Sequence, residues 1–296
     1  MKRYIIILAA IAIACACSSC QKEKEREGVY HPKKKISKIY EERHGAKRLV
    51  EEWTWNGKNL SKITNADKTT SHTFKYEKNR ISKIECTDVF YVISSPYYHS
   101  YTLSFIYEGD FIKKIECHEE GGRLSATYNF KHTQDKITTL TIEDYIDFGD
   151  DYNKNAVAAL RPFLPIQMVK SMLNRKRPTS LSKGETYIST YEFEWEGDNI
   201  KTETFTNNTW TEKTTYKYDD KINPYYNFFE NFAHSKNNAT YAEMSYFGGI
   251  DTTYYISTYD ITYDGKFPVK IVEARKERDS YYDYVNYTTT YYVYKK

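Results

Sequence analysis

One spacing of hydrophobic and polar residues recurs along the chain. An aromatic residue, any residue and a second aromatic residue precede a turn rich in Gly, Asn or Asp, and Ile or Leu follows about five residues later. The clearest copies are Trp53, Trp55, Leu60, Ile63; Phe74, Tyr76, Ile81, Ile84; and Phe105, Tyr107, Ile112, Ile115. Looser copies are Phe193, Trp195, Ile200; Tyr216, Tyr218, Asn223; and Ile261, Tyr263, Pro268, Ile271. The second half of the repeat occurs alone at 36–39, before the first full copy, and the first half occurs alone at 292–294, after the last one.

Each copy predicts a β-hairpin. Aromatic residues two apart share one face of a strand, and dipeptides such as Asn56-Gly57 and Asp264-Gly265 suit tight turns. Ile81 and Ile84 are three apart, so either a bulge separates them or Ile81 belongs to the turn. We predict an all-β fold, a large antiparallel meander with strands close to 53–56, 72–77, 81–93, 97–108, 111–120, 123–132 and 136–146.

Two stretches interrupt the pattern and predict short helical insertions. The first covers about 153–176 and is broken by Pro162 and Pro165; the second covers about 224–234 and is rich in Tyr and Phe. The first insertion, followed by the basic run 175–177, divides the sheet into two candidate halves, 36–150 and 180–296.

The first twenty residues have the pattern of an export signal. Lys2 and Arg3 precede an uncharged apolar run to Ala16, about 13 residues, whereas a membrane-spanning helix needs roughly 20. Small residues then lead to Cys20, and a charged stretch begins at Gln21. We therefore expect a lipoprotein signal peptide at 1–19, a lipid on Cys20, a charged tether at 20–35 and a tyrosine-rich β-sheet domain at 36–296. Cys15 and Cys17 are rival acceptors, and ordinary secretion is the alternative.

Composition supports the β prediction and excludes some partners. The chain has 31 Tyr, 14 Phe and 4 Trp, residue types that suit pleated, half-buried surfaces. The chain has 43 basic and 40 acidic side chains, and cleavage of the leader would remove two of the basic ones, Lys2 and Arg3. Such a balanced charge offers no field for nucleic acid.

The hairpin pattern resembles the tyrosine-aspartate (YD, or Rhs-type) repeat. Together with the leader, Asn223-Pro224, the turn at 235–238 and the segment from Tyr263 to Pro268, it is similar to a Bacteroidetes lipoprotein family with a domain of unknown function, over roughly 33–296. The tract 20–23 also resembles the short charged signal that directs such lipoproteins to the outer face of the outer membrane. The resemblance implies a fold and a location, lipid-anchored in the outer membrane and surface-exposed, and no activity.

No local motif indicates catalysis, a metal or another cofactor. The seven His, at 31, 44, 72, 99, 118, 132 and 234, lack metal-binding spacing, and neither a nucleophile elbow nor a phosphate loop is present. The acidic stretch from Asp144 to Asn155 could supply calcium ligands, but helix capping by Asp151 or Asn153 explains it with fewer assumptions.

Tyrosine doublets such as Tyr254-Tyr255 and Tyr291-Tyr292 raise the possibility of an aromatic platform. Adjacent strand residues point to opposite faces, so cross-strand ladders that stabilise the sheet are the favoured interpretation, and no residues of a binding surface are assigned. The leading hypothesis is a non-enzymatic envelope lipoprotein that binds or scaffolds a protein or glycan. The alternatives are a hydrolase of an extracellular polymer, which would need a groove with two carboxylates, and a purely structural component of an envelope complex.

Cys86 and Cys117 occupy equivalent places in consecutive repeats, each ten residues after the second aromatic. In a meander one strand lies between them, which separates their backbones by about 9 to 10 Å. A disulfide needs Cα atoms within about 7 Å, so we expect two unpaired thiols on one face.

Because the polar tether begins at Gln21, we predict that Cys20 carries the lipid and that Cys20→Ala releases the protein or leaves it unprocessed. Mass spectrometry of the mature N-terminus should find a diacylated Cys20. Acylation at Cys15 or Cys17, or a free terminus at Gln21, would contradict this assignment.

Overall fold

The computed structural model describes residues 34–78, 80–92, 95–145, 154–174, 185–226, 233–247, 252–277 and 285–295. Its strands are β1 Ile36–Arg43, β2 Ala46–Asn56, β3 Asn59–Asn65, β4 Thr70–Glu77, β5 Arg80–Val92, β6 Ser95–Glu108, β7 Phe111–Glu119, β8 Leu124–Thr133, β9 Lys136–Tyr145, β10 Thr186–Glu196, β11 Asn199–Asn207, β12 Thr211–Tyr218, β13 Ala239–Phe247, β14 Thr252–Asp264, β15 Phe267–Glu277 and β16 Val285–Tyr294. Its helices are α1 Lys154–Ala159 and α2 Ile166–Asn174.

The strands form one closed antiparallel barrel in which each pairs with its neighbours in sequence and β1 closes on β16. The all-β meander and all seven predicted strands are confirmed, although β2 begins at Ala46, well before 53. Closure of the sheet was not predicted. The candidate halves 36–150 and 180–296 belong to one sheet, because β9 pairs directly with β10 across the first insertion.

The first predicted insertion is confirmed as α1 and α2, separated by the segment that contains Pro162 and Pro165. In the second, 224–226 form a turn, and 227–232 lie outside the described residues. Cys20, the tether up to residue 33, the basic run 175–177 and the acidic residues at 147–153 also lie outside them.

The repeat builds one end of the barrel, called here the hairpin end, which carries Gly57, Gly109, Gly197 and Gly265. In the hairpin of β4 and β5 a bulge shifts the register next to Tyr76, and therefore both Ile81 and Ile84 are buried. The bulge interpretation of this three-residue spacing is thus confirmed. The same shift occurs next to Trp55, Tyr107 and Trp195.

In five copies of the repeat the second aromatic links neighbouring hairpins by a hydrogen bond to a main-chain carbonyl, whereas Tyr263 donates to the Asp219 carboxylate. The bonds are Trp55 Nε1 to Ile36 O (2.7 Å), Tyr76 Oη to Leu60 O (2.8 Å), Trp195 Nε1 to Ile137 O (2.7 Å), Tyr218 Oη to Ile200 O (2.7 Å) and Tyr294 Oη to Pro268 O (2.7 Å). The repeat therefore needs Tyr or Trp at this place because the ring fills the barrel while its polar tip satisfies a carbonyl.

Basic residues at the hairpin end add a second set of links. Lys35, Arg80 and Lys136 lie 5.7, 5.3 and 5.1 Å from the centroids of the Trp55, Tyr107 and Trp195 rings. Each also donates to the carbonyl of the neighbouring turn glycine. These links are exposed, so each adds little stability, but their repetition fixes how successive hairpins meet.

The outer surface of the barrel is polar. Along the strands, exposed positions carry charged side chains: Lys62, Lys75, Lys83, Glu85, Glu192, Glu194 and Lys213. The large exposed apolar residues, Tyr98, Ile106, Ile188, Phe247, Tyr287 and Val293, are distributed over four strands among the described residues. A charge on a lipid-facing barrel surface costs about 2 to 4 kcal/mol at the bilayer midplane, so this surface suits water. Neither described helix has the length and hydropathy that a membrane crossing requires.

Cys86 and Cys117 are free and buried on the inner face, as predicted. Their cross-strand neighbours are Tyr101 and Leu103 of the intervening strand β6. Burial raises the pKa of Cys86 and raises that of Cys117 to about 12, so both thiols stay protonated and unreactive at neutral pH.

In the tight turns at the hairpin end the first loop residue has a left-handed backbone, with φ of 59° at both Gly197 and Gln134. A Cβ at Gly197 would meet nothing within 4 Å, so only backbone strain opposes it. We predict that Gln134→Gly raises the free energy of unfolding by about 1 kcal/mol and that Gly197→Ala lowers it by a similar amount.

Chemical denaturation measures both changes, with Asp135→Gly, at the next loop position, as the control. Stabilisation by Asp135→Gly equal to that by Gln134→Gly would show that backbone strain is not the cause.

Candidate functional site

The two insertions enter the barrel from opposite ends and meet inside it. The segment with α1 and α2 follows β9 and enters at the end that carries the β1–β2 turn, called here the mouth end. Residues 219–226 and 233–238, which follow β12, enter at the hairpin end. They touch where His234 Nε2 lies 3.0 Å from the Pro162 carbonyl.

One side of the interior is apolar and filled. Leu160, Phe163, Met168 and Val169 of the first insertion are fully buried in the core cluster. The Phe163 ring packs 5.3 Å from that of Phe105 and 6.3 Å from that of Phe74, between centroids. The inner faces of β2–β11 supply most of this wall: Trp53, Phe74, Phe105, Tyr128, Phe130, Leu140, Tyr191, Phe193 and Phe205.

The other side of the interior carries charged and hydroxyl-bearing side chains beside a few apolar ones, such as Ile39, Leu173 and Met244, and holds a cavity of about 550 Å³. It lies between α2 and the inner faces of β11–β16 and β1. Its charged lining residues are Glu41, Arg43, Arg161, Lys170, Glu203, Glu212, Glu273 and Arg275, and its hydroxyl-bearing ones include Ser171, Thr214, Tyr216, Tyr225, Tyr255, Ser257, Tyr259, Thr288 and Thr290. The lining therefore contains four acidic and four basic residues, with hydroxyl groups among them.

The polar face of α2 binds the cavity wall. Lys170 Nζ lies 3.1 Å from Glu273 of β15, and Gln167 Nε2 donates to the Tyr259 hydroxyl at 2.9 Å. Ser171 Oγ lies 3.5 Å from a Glu212 oxygen. These contacts are made by the ends of side chains, so the backbone of α2 stays apart from the barrel wall. The space left between them is the cavity.

Glu273 is a largely buried carboxylate of this set. Burial alone would raise its pKa, but Lys170 and the Ser257 hydroxyl, which donates at 3.2 Å, hold the pKa of Glu273 below its ordinary value. Arg161, at the base of α2, forms an ion pair with Glu51, which raises the pKa of the guanidinium. Tyr216 donates to Glu203 at 3.0 Å, and burial first, then Glu203, raises the pKa of that phenol.

The cavity opens at the mouth end, where Arg43, Arg275 and Asn286 are exposed. The Arg275 guanidinium lies 4.9 Å from the centre of the Tyr255 ring, and Arg43 lies 3.2 Å from Glu41. Toward the hairpin end a second space of about 120 Å³ continues beside Pro224, Tyr225 and His234. Lys170 and Glu273 are among the residues that line both spaces, so the two spaces adjoin.

Among the described residues no group of three His, Cys, Asp or Glu is placed to hold a metal ion. Tyr255 and Tyr292 face the interior, whereas Tyr291 lies outside, within 2.6 Å of Glu42. The doublet Tyr291-Tyr292 thus divides between the two faces, as the strand geometry predicts. Sequence reasoning missed the cavity itself, because it depends on closure of the sheet.

Comparisons with known proteins leave the family open. No family model matches the chain, and no curated protein matches it. Among solved structures, a porin-like protein from Bacteroides vulgatus aligns with 88% of this chain and 99% of its own at 10% identity, with a TM-score of 0.37. A porin-like protein from Bacteroides uniformis aligns with 90% and 99% at 12% identity, with a TM-score of 0.38. The residues of this chain therefore carry the functional inference.

The contact between the insertions generates a prediction about pH. Burial lowers the pKa of His234 from 6.5 to about 4, while the Pro162 carbonyl opposes the shift, so the folded ring is neutral and its Nε2–H donates. The unfolded chain binds this proton first, and the stability contributed by neutral His234 is present above pH 6.5 and is lost as pH falls toward 4. The linked loss is about 3 kcal/mol.

His234→Gln keeps a donor at this place and cannot take up the proton, so its free energy of unfolding should fall less between pH 6.5 and 4 by about 3 kcal/mol. His118→Gln, on the outer face, is the control. A pH profile of His234→Gln that parallels the wild type would contradict the assignment.

Proposed function

We propose that the chain is a non-enzymatic binding protein of the cell envelope, anchored through a lipid on Cys20, whose barrel stands in water and holds a hydroxyl-rich ligand, a glycan, in its cavity. The export leader and the tether beginning at Gln21 support the anchor. The charged outer surface supports the aqueous position of the barrel. The location is the outer membrane, with the barrel exposed at the cell surface.

The polar cavity is the observation that carries the binding role. Its volume of about 550 Å³ falls in the range of roughly 300 to 1,000 Å³ that small-molecule sites occupy. Acidic and basic residues balance in its lining, so it provides no field that favours a strongly charged ligand. Threonine and tyrosine hydroxyls, an asparagine and ion-paired side chains can each donate or accept hydrogen bonds, which is what a neutral sugar needs.

The glutamates in the cavity invite the hydrolase alternative. A glycosidase needs one carboxylic acid with a raised pKa beside a second carboxylate. Glu273 has a lowered pKa and is bound by Lys170, Ser257 and the Tyr259 hydroxyl, so its environment is that of a structural carboxylate. Glu273 is therefore unsuited to the role of the acid with a raised pKa, and on that ground we favour binding over hydrolysis.

Binding of a panel of neutral and acidic oligosaccharides to the full-length lipidated protein in detergent tests the proposal. Tyr255→Ala, which removes a ring from the mouth of the cavity, should weaken binding of a neutral oligosaccharide at least about ten-fold, or about 1.4 kcal/mol. Tyr287→Ala, on the outer face of β16, should leave binding unchanged.

The proposal is overturned if no oligosaccharide binds, if the two variants behave alike, or if the bound oligosaccharide is hydrolysed. The last result would establish the hydrolase.

A further inference from the structure

The chain enters the barrel at the hairpin end. Lys34 Nζ lies 2.7 Å from Asp264 Oδ2 in the β14–β15 turn, and Lys35 donates to the carbonyl of Gly57 in the β2–β3 turn. The Lys34 ammonium also lies 5.5 Å from the centroids of both the Phe267 and Tyr294 rings. Lys34 and Lys35 are therefore fixed to this end before β1 begins at Ile36.

The cavity opens at the opposite end. The strand β2 runs from Ala46, beside the mouth, to Asn56, beside Gly57 of the hairpin end. Ten steps of about 3.4 Å along a strand tilted by about 40° place the two ends roughly 25 Å apart along the barrel axis. The exposed mouth residues Arg43, Arg275 and Asn286 all lie at the Ala46 end.

A short tether links the barrel to Cys20. Lys34 follows Cys20 by fourteen residue steps, which when fully extended reach about 50 Å at most. The contacts of Lys34 and Lys35 place the attachment of the tether at the hairpin end, and the mouth end lies beyond it along the chain from Cys20.

We propose that the protein stands on the membrane with its hairpin end down, so that the cavity mouth opens away from the lipid toward ligands that arrive from the aqueous side. This inference rests on the lipid anchor of the proposed function but not on the identity of the ligand. The cavity of about 550 Å³ is then entered from the distal end. A glycan can be held there while the rest of its chain extends away from the membrane.

Energy transfer to the membrane tests the orientation. Full-length lipidated protein carries a donor fluorophore on Lys58→Cys, at the hairpin end, or on Ala46→Cys, at the mouth end, and binds phosphatidylcholine vesicles that contain an acceptor-labelled lipid. Cys86 and Cys117 are buried and do not take the label. The two positions flank one strand, so each variant is the matched control of the other.

Transfer from residue 58 should exceed transfer from residue 46 at every acceptor density. Equal transfer, which indicates a barrel that tumbles freely, or greater transfer from residue 46 overturns the orientation. Failure of the protein to bind vesicles overturns it together with the Cys20 anchor. Oligosaccharide binding by the same labelled proteins is measured separately, so a failure of the glycan hypothesis is distinguishable from a failure of the orientation.

Discussion

The rest of the structure depends on the width of a closed sixteen-stranded sheet. An eight-stranded barrel is filled by its own inward side chains, whereas a barrel of sixteen strands leaves a lumen that those side chains cannot fill. Here the chain fills much of that space with its own insertions, one from each end. Phe163 packs against the rings of Phe74 and Phe105, and His234 joins the second insertion to Pro162. The barrel consequently has a packed core on one side.

The asymmetry of the lumen is what gives the molecule a site. The inner face is rich in aromatic and aliphatic side chains along β2–β11 and rich in Thr, Glu and Arg along β12–β16 and the end of β1. The helix α2 is amphipathic in the same sense. Met168 and Val169 lie in the apolar core, and Lys170 binds Glu273 on the polar side. Burial of an ion is costly unless it is paired, and here Lys170 is paired with Glu273 and Arg161 with Glu51.

Sequence reasoning reached the strands because the repeat is local. The spacing of Trp53, Trp55 and Leu60 specifies a hairpin and its bulge within a dozen residues, and the meander order followed from short turns, as did the free thiols of Cys86 and Cys117. Closure was not predictable in the same way, because the pairing of β1 with β16 joins residues roughly 250 positions apart. The cavity depends on that closure. A signal for it existed nonetheless: alternate residues in the last strands, such as Glu273 with Arg275, are polar where the early hairpins have aromatic residues.

The central claim, that the polar side of the lumen is a binding site entered from the mouth end, is tested most directly by a crystal structure of the protein with the oligosaccharide that it binds most tightly. The account predicts sugar density between α2 and the inner faces of β12–β16, beside Tyr255 and Thr288. Density on the charged outer face of the barrel, with the lumen unchanged, would contradict it.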